Sequence, residues 1–130
     1  MAMTFLLDTN AAIDYIGGTL PGKAIAWLDS IVDTEVAISV INQIEMLGFN
    51  PDNPADMLPF EELVDTLVIL PLDEEVVTRS IALRKRHKIK LPDAIVAATA
   101  LVHGLSLISR NESDFKKIPD LKTINPHTLL

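Results

Sequence analysis

The chain has 130 residues, enough for one domain with a real core but not for two. Apolar residues make up 48% and charged residues 22%, a globular composition that excludes a disordered chain; Cys is absent, which excludes disulfides, thiolate zinc sites and Cys nucleophiles. The formal net charge is −7, from 18 acidic and 11 basic residues, and argues against a simple electrostatic nucleic-acid binder with a basic surface.

In chain order, Met3 to Leu7 is a short apolar run that reads as a buried strand ending at Asp8. Asn10 is placed to cap a helix through Ile16, which Gly17-Gly18 ends. Pro21 opens a second helix through about Val32, with Ala24, Ile25, Leu28 and Ile31 at helical spacing. Val36 to Ser39 reads as a strand, and Ser39 caps the helix carrying Val40 to Leu47. Phe49 to Asp56 holds two prolines and two asparagines and reads as a loop. A helix through about Asp65 and a strand from Leu67 to Leu70 follow. Asp73-Glu74-Glu75 opens a longer helix, acidic in its first turn and basic in its last, as the helix dipole prefers. Pro92 starts a helix through His103, stopped by Gly104; Leu105 to Ser109 and Leu121 to Asn125 are the last strands.

Strands alternating with helices predict parallel βαβ units in a layered α/β fold. Right-handed crossovers then bring the strands' C-terminal ends to one rim of the sheet. Asp8 follows the first strand, while Ser109, Asn111 and Asp114 follow the fourth. Topology alone brings these residues together.

Taken singly, each carboxylate has an ordinary explanation. Asp8 at a strand end serves equally as a helix cap. Glu45 falls within the apolar arc of its helix near Ile41 and Gly48, where a charge is buried only if paired or metal-bound, unless it snorkels out at the helix edge. Asp93 stabilises a first helical turn without any further role, yet the helix behind it is almost wholly apolar and carries it toward an interior rim. Asn111 and Asp114 have capping-box spacing. His87, His103 and His127 lack metal-binding spacing and read as helix-end or tail residues. With no Cys, any metal is held by carboxylates, His or hydroxyls, and oxygen ligands favour Mg²⁺ or Mn²⁺. Six of the eleven basic residues, Arg79, Arg84, Lys85, Arg86, Lys88 and Lys90, occupy one twelve-residue stretch. A helix-dipole complement and a substrate-facing patch both account for them. The most apolar stretch, Ala94 to Val102 with a single Thr, has nine residues, against the roughly 20 that span a bilayer. No basic segment precedes an apolar stretch at the N-terminus, so neither a secretory signal nor membrane association is expected, and the expected location is the cytoplasm.

In combination, Leu6-Leu7-Asp8-Thr9-Asn10, Ile44-Glu45-Met46-Leu47, the run from Leu91-Pro92-Asp93-Ala94 to Ala100, and Ser109-Arg110-Asn111-Glu112-Ser113-Asp114-Phe115 resemble the PIN domain. More narrowly they resemble the VapC-type toxin ribonucleases of bacterial toxin–antitoxin pairs. With the closing Ile124-Asn125-Pro126, the resemblance extends over nearly the whole chain, implying one PIN-like nuclease domain over residues 1–130. It further implies an endoribonuclease whose acidic positions Asp8, Glu45, Asp93 and Asp114 hold Mg²⁺ or Mn²⁺. Thr9, Asn10, Ser109 and Asn111 match the surrounding polar positions; Ser109 stands where the family often has Thr, and Asn111 or Ser109 acting through a water is an alternative to Asp114 as fourth ligand. One ion and two are equally open.

The resemblance also implies an RNA substrate, a cognate antitoxin and a homodimer. An antitoxin segment that covers four carboxylates is expected to be cationic, with an apolar anchor near Ile13, Ile16, Ile44 and Leu47. A catalytically inactive PIN scaffold that binds a protein or RNA is the alternative. A phospho-acceptor receiver domain fails on three counts: Asp8 is followed by Thr9, the third strand ends Leu70-Pro71-Leu72, and Asn125-Pro126 follows the last.

Overall fold

A computed structural model describes residues 3–129. Five strands form one wholly parallel sheet: β1 (Phe5–Leu7), β2 (Val36–Ser39), β3 (Val68–Leu70), β4 (Ser106–Ile108) and β5 (Thr123–Ile124), in the order β3-β2-β1-β4-β5. The α/β layering expected from the sequence is therefore present. Strand order reverses at β1, whose neighbours are β2 on one side and β4 on the other. Such a reversal opens a crevice at the strands' C-terminal ends, where ligands of open α/β sheets bind.

Successive strand residues face opposite sides of the sheet, and both sides are covered. Leu6, Ala37 and Leu107 pack into one core with Val76, Leu83, Phe115 and the helix α6 (Leu91–His103). Leu7, Ile38 and Ile108 pack into the other with Ala11, Leu28 and Met46. The second core is covered by α1 (Thr9–Gly17), α2 (Gly22–Ile31) and α4 (Leu58–Thr66); α3 (Val40–Leu47) sends Met46 into that core and Ile41 against the first. On the first side α6 packs against α5 (Glu74–Arg86). Residues Ala94 to Ala100 are all buried, because four Ala side chains let the backbone of α6 approach its neighbours closely. Full burial of β1 on both faces, with Leu6 and Leu7 inaccessible to solvent, makes either Leu→Ala substitution a loss of about 2–5 kcal/mol.

Ser39 caps α3 as expected, its Oγ accepting from the backbone of Ile41 and Asn42. Asp73 caps α5 through Val76 N. Gly104 ends α6 with φ +67°, a conformation open to Gly at little cost. Several boundaries differ from expectation, and β1, β3, β4 and β5 are each shorter than the expected runs. Asp8, not Asn10, caps α1, because its extended backbone leaves a side-chain oxygen for Thr9 N. The sixth helix begins at Leu91, with Pro92 inside its first turn. The loop from Phe49 tightens into a 3₁₀ turn at Pro54–Met57, capped by Asn53. A short helix, α7 (Glu112–Phe115), follows Asn111 where none was expected; the Asn111 side chain makes no capping bond, so the capping box is absent. Among the described residues no helix is long and apolar enough to cross a membrane.

Candidate active site

The registers Leu7↔Ile108 and Leu6↔Ala37 carry Asp8 to the row of Ser109 and Ser39, one step beyond the paired strands. Asp8 is thus at the reversal point, buried to 6% exposure, and its carboxylate accepts four hydrogen bonds. Oδ1 accepts from Thr9 N at 2.9 Å and Asn42 Nδ2 at 3.3 Å. Oδ2 accepts from Ser109 Oγ at 2.8 Å and Asn10 Nδ2 at 3.3 Å. Burial pushes its pKa above the ordinary Asp value, with a smaller push from Glu45, against the bonds from Ser109, Thr9 and Asn42 that favour the charged form.

Around this carboxylate the other polar residues interlock. Ser109 Oγ accepts from Asn10 Nδ2 and Asn111 N. Asn10 Oδ1 accepts from Arg110 N at 2.9 Å. Asn111 Nδ2 donates to Asp114 Oδ2 at 3.0 Å, a bond between side chains in place of the expected capping box. Thr9 Oγ1 donates to Glu45 Oε1 at 2.7 Å. Glu45 itself is exposed, a correction to its expected place on the apolar face. The buried arc of α3 is Asn42 and Met46, which rotates Glu45 outward to the rim.

Asp93 is joined to the others by electrostatics alone: among the described residues no side-chain hydrogen bond reaches its carboxylate. Its pKa is raised, first by burial and then by Asp8, Asp114 and Glu45, with Lys90 acting the other way. Asp93 therefore feels the other three carboxylates named from the sequence, and Asp8 feels Glu45. Among the described residues, however, no group of three His, Cys, Asp or Glu side chains stands tightly enough to hold a metal ion as placed. What the rim offers is an all-oxygen donor set with repelling charges, the chemistry that suits a hard divalent cation.

Sequence reasoning missed two features. Asn42 is wholly buried; its Nδ2 donates to Asp8 and Thr9, while its Oδ1 accepts from Ser39 N. The spacing Ser39-Val40-Ile41-Asn42 was the available signal, since a side chain at that position reaches back to the cap. The second is a clasp behind the rim. Asp14, 6% exposed, accepts from Arg110 Nη1 at 3.1 and 3.2 Å and lies 2.8 Å from His127 Nε2. His127 is therefore a partner of α1 and not a free tail residue. No sequence signal joins residues so far apart.

A family model described as "PIN domain" matches residues 5–121. The protein named Ribonuclease VapC1 from Rickettsia felis is 32% identical, the match covering 94% of this chain and 96% of that protein. A solved toxin–antitoxin complex from Klebsiella pneumoniae contains a chain 35% identical, with TM-score 0.76 and coverage of 95% of this chain and 98% of that one. The FitAcB structure from Neisseria gonorrhoeae is similar at 29% identity and TM-score 0.80, covering 97% of this chain and all of that one.

Proposed function

Because the chain belongs to the PIN domain family, we propose that it is a Mg²⁺- or Mn²⁺-dependent endoribonuclease and the toxin half of a toxin–antitoxin pair. One observation carries the nuclease reading: the buried Asp8 carboxylate stands where strand order reverses, bonded to Ser109 and, through Thr9, joined to Glu45, with Asp93 close enough to feel Asp8, Asp114 and Glu45. The relative named a ribonuclease and the similar toxin–antitoxin structures support it.

In this reading Asp8, Asp93, Glu45 and Asp114 hold the cation. A divalent ion held there would supply positive charge toward a phosphodiester and would lower the pKa of a bound water. The chain's own contribution is orientation. Four donors hold the Asp8 carboxylate in one rotamer, which spares it reorganisation when it binds a cation. Thr9 and Asn111 hold Glu45 and Asp114 by one hydrogen bond each, and Ser109 fastens the loop after β4 to Asp8. These three polar residues, with Asn10, position ligands and water without reacting themselves. We place the protein in the cytoplasm, where RNA and an antitoxin would both be met. The antitoxin covers the rim with a cationic segment and anchors on Ile13 and Ile44, which are 48% and 61% exposed, beside Leu47; Ile16 is half-buried and contributes less. We further place two copies in a symmetric dimer, the commonest soluble assembly.

The absence of a tight three-ligand group as placed favours a second reading, a scaffold that binds RNA or protein without cutting it. One experiment separates the two. Purified chain is incubated with single-stranded RNA in Mn²⁺, Mg²⁺ or EDTA, while thermal melting is followed against Mn²⁺ alone. Cleavage that EDTA stops, with a melting point that rises with Mn²⁺ by mass action, is expected. Cleavage undiminished in EDTA overturns the metal mechanism, and Mn²⁺-dependent stabilisation without cleavage favours the scaffold. Expression alone should slow growth, relieved by co-expressing the cognate partner; harmless expression of an active ribonuclease overturns the toxin reading.

A further inference from the structure

A chain of net charge −7 gathers its cations beside its acidic rim. Arg84 in the last turn of α5, Lys88 and Lys90 in the connection to α6, and Lys117 beyond α7 line one cleft of about 500 Å³ together with Asp114 and Ile89. All four cations are exposed, and Ile89 is buried. A helix dipole accounts for Arg84, but not for cations converging from two further segments. Lys117 Nζ donates to the Lys88 carbonyl, which fastens those segments together. Among the described residues the ion pairs are Arg110–Asp14 and His127–Asp14; none involves these four cations. Neighbouring like charges repel; Asp114 offsets part of that repulsion, and an entering polyanion would relieve the rest. The cleft also meets the rim from two directions, since Asp114 borders it and Lys90 acts on the Asp93 carboxylate.

We propose that this cleft holds backbone phosphates of a single-stranded RNA, steering the strand past Lys117 and Lys88 into the acidic rim. The proposal rests on the ribonuclease reading above for its substrate. Phosphate contacts of this kind position a strand and carry no sequence information. They also explain how an acidic protein takes a polyanion: the repelling carboxylates are local, and the approach to them is cationic. A cationic antitoxin segment would be repelled by these four cations, so the cleft and the antitoxin surface share Asp114 at most.

The test uses the double variant Arg84→Gln/Lys88→Gln and, for the same change in net charge elsewhere, Lys85→Gln/Lys122→Gln. Binding of a short fluorescein-labelled single-stranded RNA is measured in EDTA across NaCl concentrations, so that no cleavage intervenes. Loss of two phosphate contacts should lower the slope of log Kd against log salt by about 1.4 and weaken binding about tenfold at low salt. In Mn²⁺ the cleft variant should show a raised KM with kcat held, whereas the control variant matches wild type in both. Equal behaviour of the two variants, or wild-type Kd and slope in the cleft variant, overturns the proposal while leaving the nuclease reading intact. Cleft-dependent RNA binding by a wild-type chain that cuts no RNA sinks the nuclease reading instead and leaves the cleft standing. A cleft variant with wild-type RNA binding that no longer associates with its cognate partner makes the cleft a protein-docking surface, and also overturns the proposal.

Discussion

The wholly buried amide of Asn42 donates to the Asp8 carboxylate at 3.3 Å, joining the start of α3 to the end of β1 across 34 residues of sequence. The same side chain donates to Thr9 Oγ1 and closes the cap on α3 through Ser39 N. One amide therefore holds a candidate ligand, the residue that orients Glu45, and a helix terminus.

Asn42→Ala should remove all three functions together. Loss of the cap bond and of a donor to a buried carboxylate should destabilise the protein by about 2–3 kcal/mol, measured by urea unfolding. Asn42→Asp keeps the acceptor for Ser39 N but turns the bond to Asp8 into repulsion and lets Thr9 Oγ1 donate to residue 42 instead of Glu45. It should fold, bind Mn²⁺ differently from wild type and lose most RNA cleavage. An Asn42→Asp variant with wild-type turnover would reduce Asn42 to a capping residue.

Asp93→Asn and Asp8→Asn should behave oppositely in melting experiments without metal. Asp93 has no hydrogen-bond donor among the described residues, and its pKa is raised by burial and by three carboxylates, so neutralising it relieves repulsion and raises Tm. Asp8 accepts from four donors; an Asn there aims an NH₂ at one of them, so Tm should not rise. Both variants should lose cleavage almost completely. Asn111→Ala, which frees Asp114 without removing it, should lose about 10–100-fold. Wild-type cleavage by Asp93→Asn would leave Asp93 a helix-start residue only.

The same two raised pKa values set the sign of a pH effect. An acid whose pKa is higher folded than unfolded binds more protons in the folded state, so its contribution to stability falls as pH rises through the folded value. The metal-free wild-type protein should therefore lose stability from these groups above the ordinary carboxylate range. The Tm advantage of Asp93→Asn should be small near pH 4, about the unfolded Asp value, and should grow toward neutrality. An advantage that stays constant with pH would mean that charge is not its source.

Asp14 should matter for stability and, through Arg110, for the site. Asp14→Ala strands the His127 ring and frees the Arg110 side chain, whose backbone N holds Asn10. A loss of about 1–3 kcal/mol is expected, with cleavage reduced through misplacement of Asn10 and Ser109. His127→Gln, which leaves the Arg110 bond in place, should lose less on both measures. Equal losses would make His127 the stronger arm of the clasp.

The alternation of apolar strands with capped helices determined the layered α/β fold, because strand and helix periods are local and each apolar run had a polar or glycine stop. That is why β2 and α3 lie where the pattern placed them, and why Asp8, Ser109 and Asp114 were legible as rim residues. The acidic positions were legible as types at strand and helix ends. Which way each faced was decided only by tertiary packing. Glu45 and Asn42 sit three residues apart on one short helix, and the wheel put Glu45 on the apolar arc while leaving both burial and an outward-snorkelling side chain open. Packing of Met46 into the core turned Asn42 inward and Glu45 out to the rim. Likewise Arg110, Asp14 and His127 meet only because β4 lies beside β1, and Lys88 meets Lys117 only because the chain returns past α6. Hydrogen bonds and charge clusters of this kind depend on distances between segments far apart in sequence, and only the folded chain sets those distances.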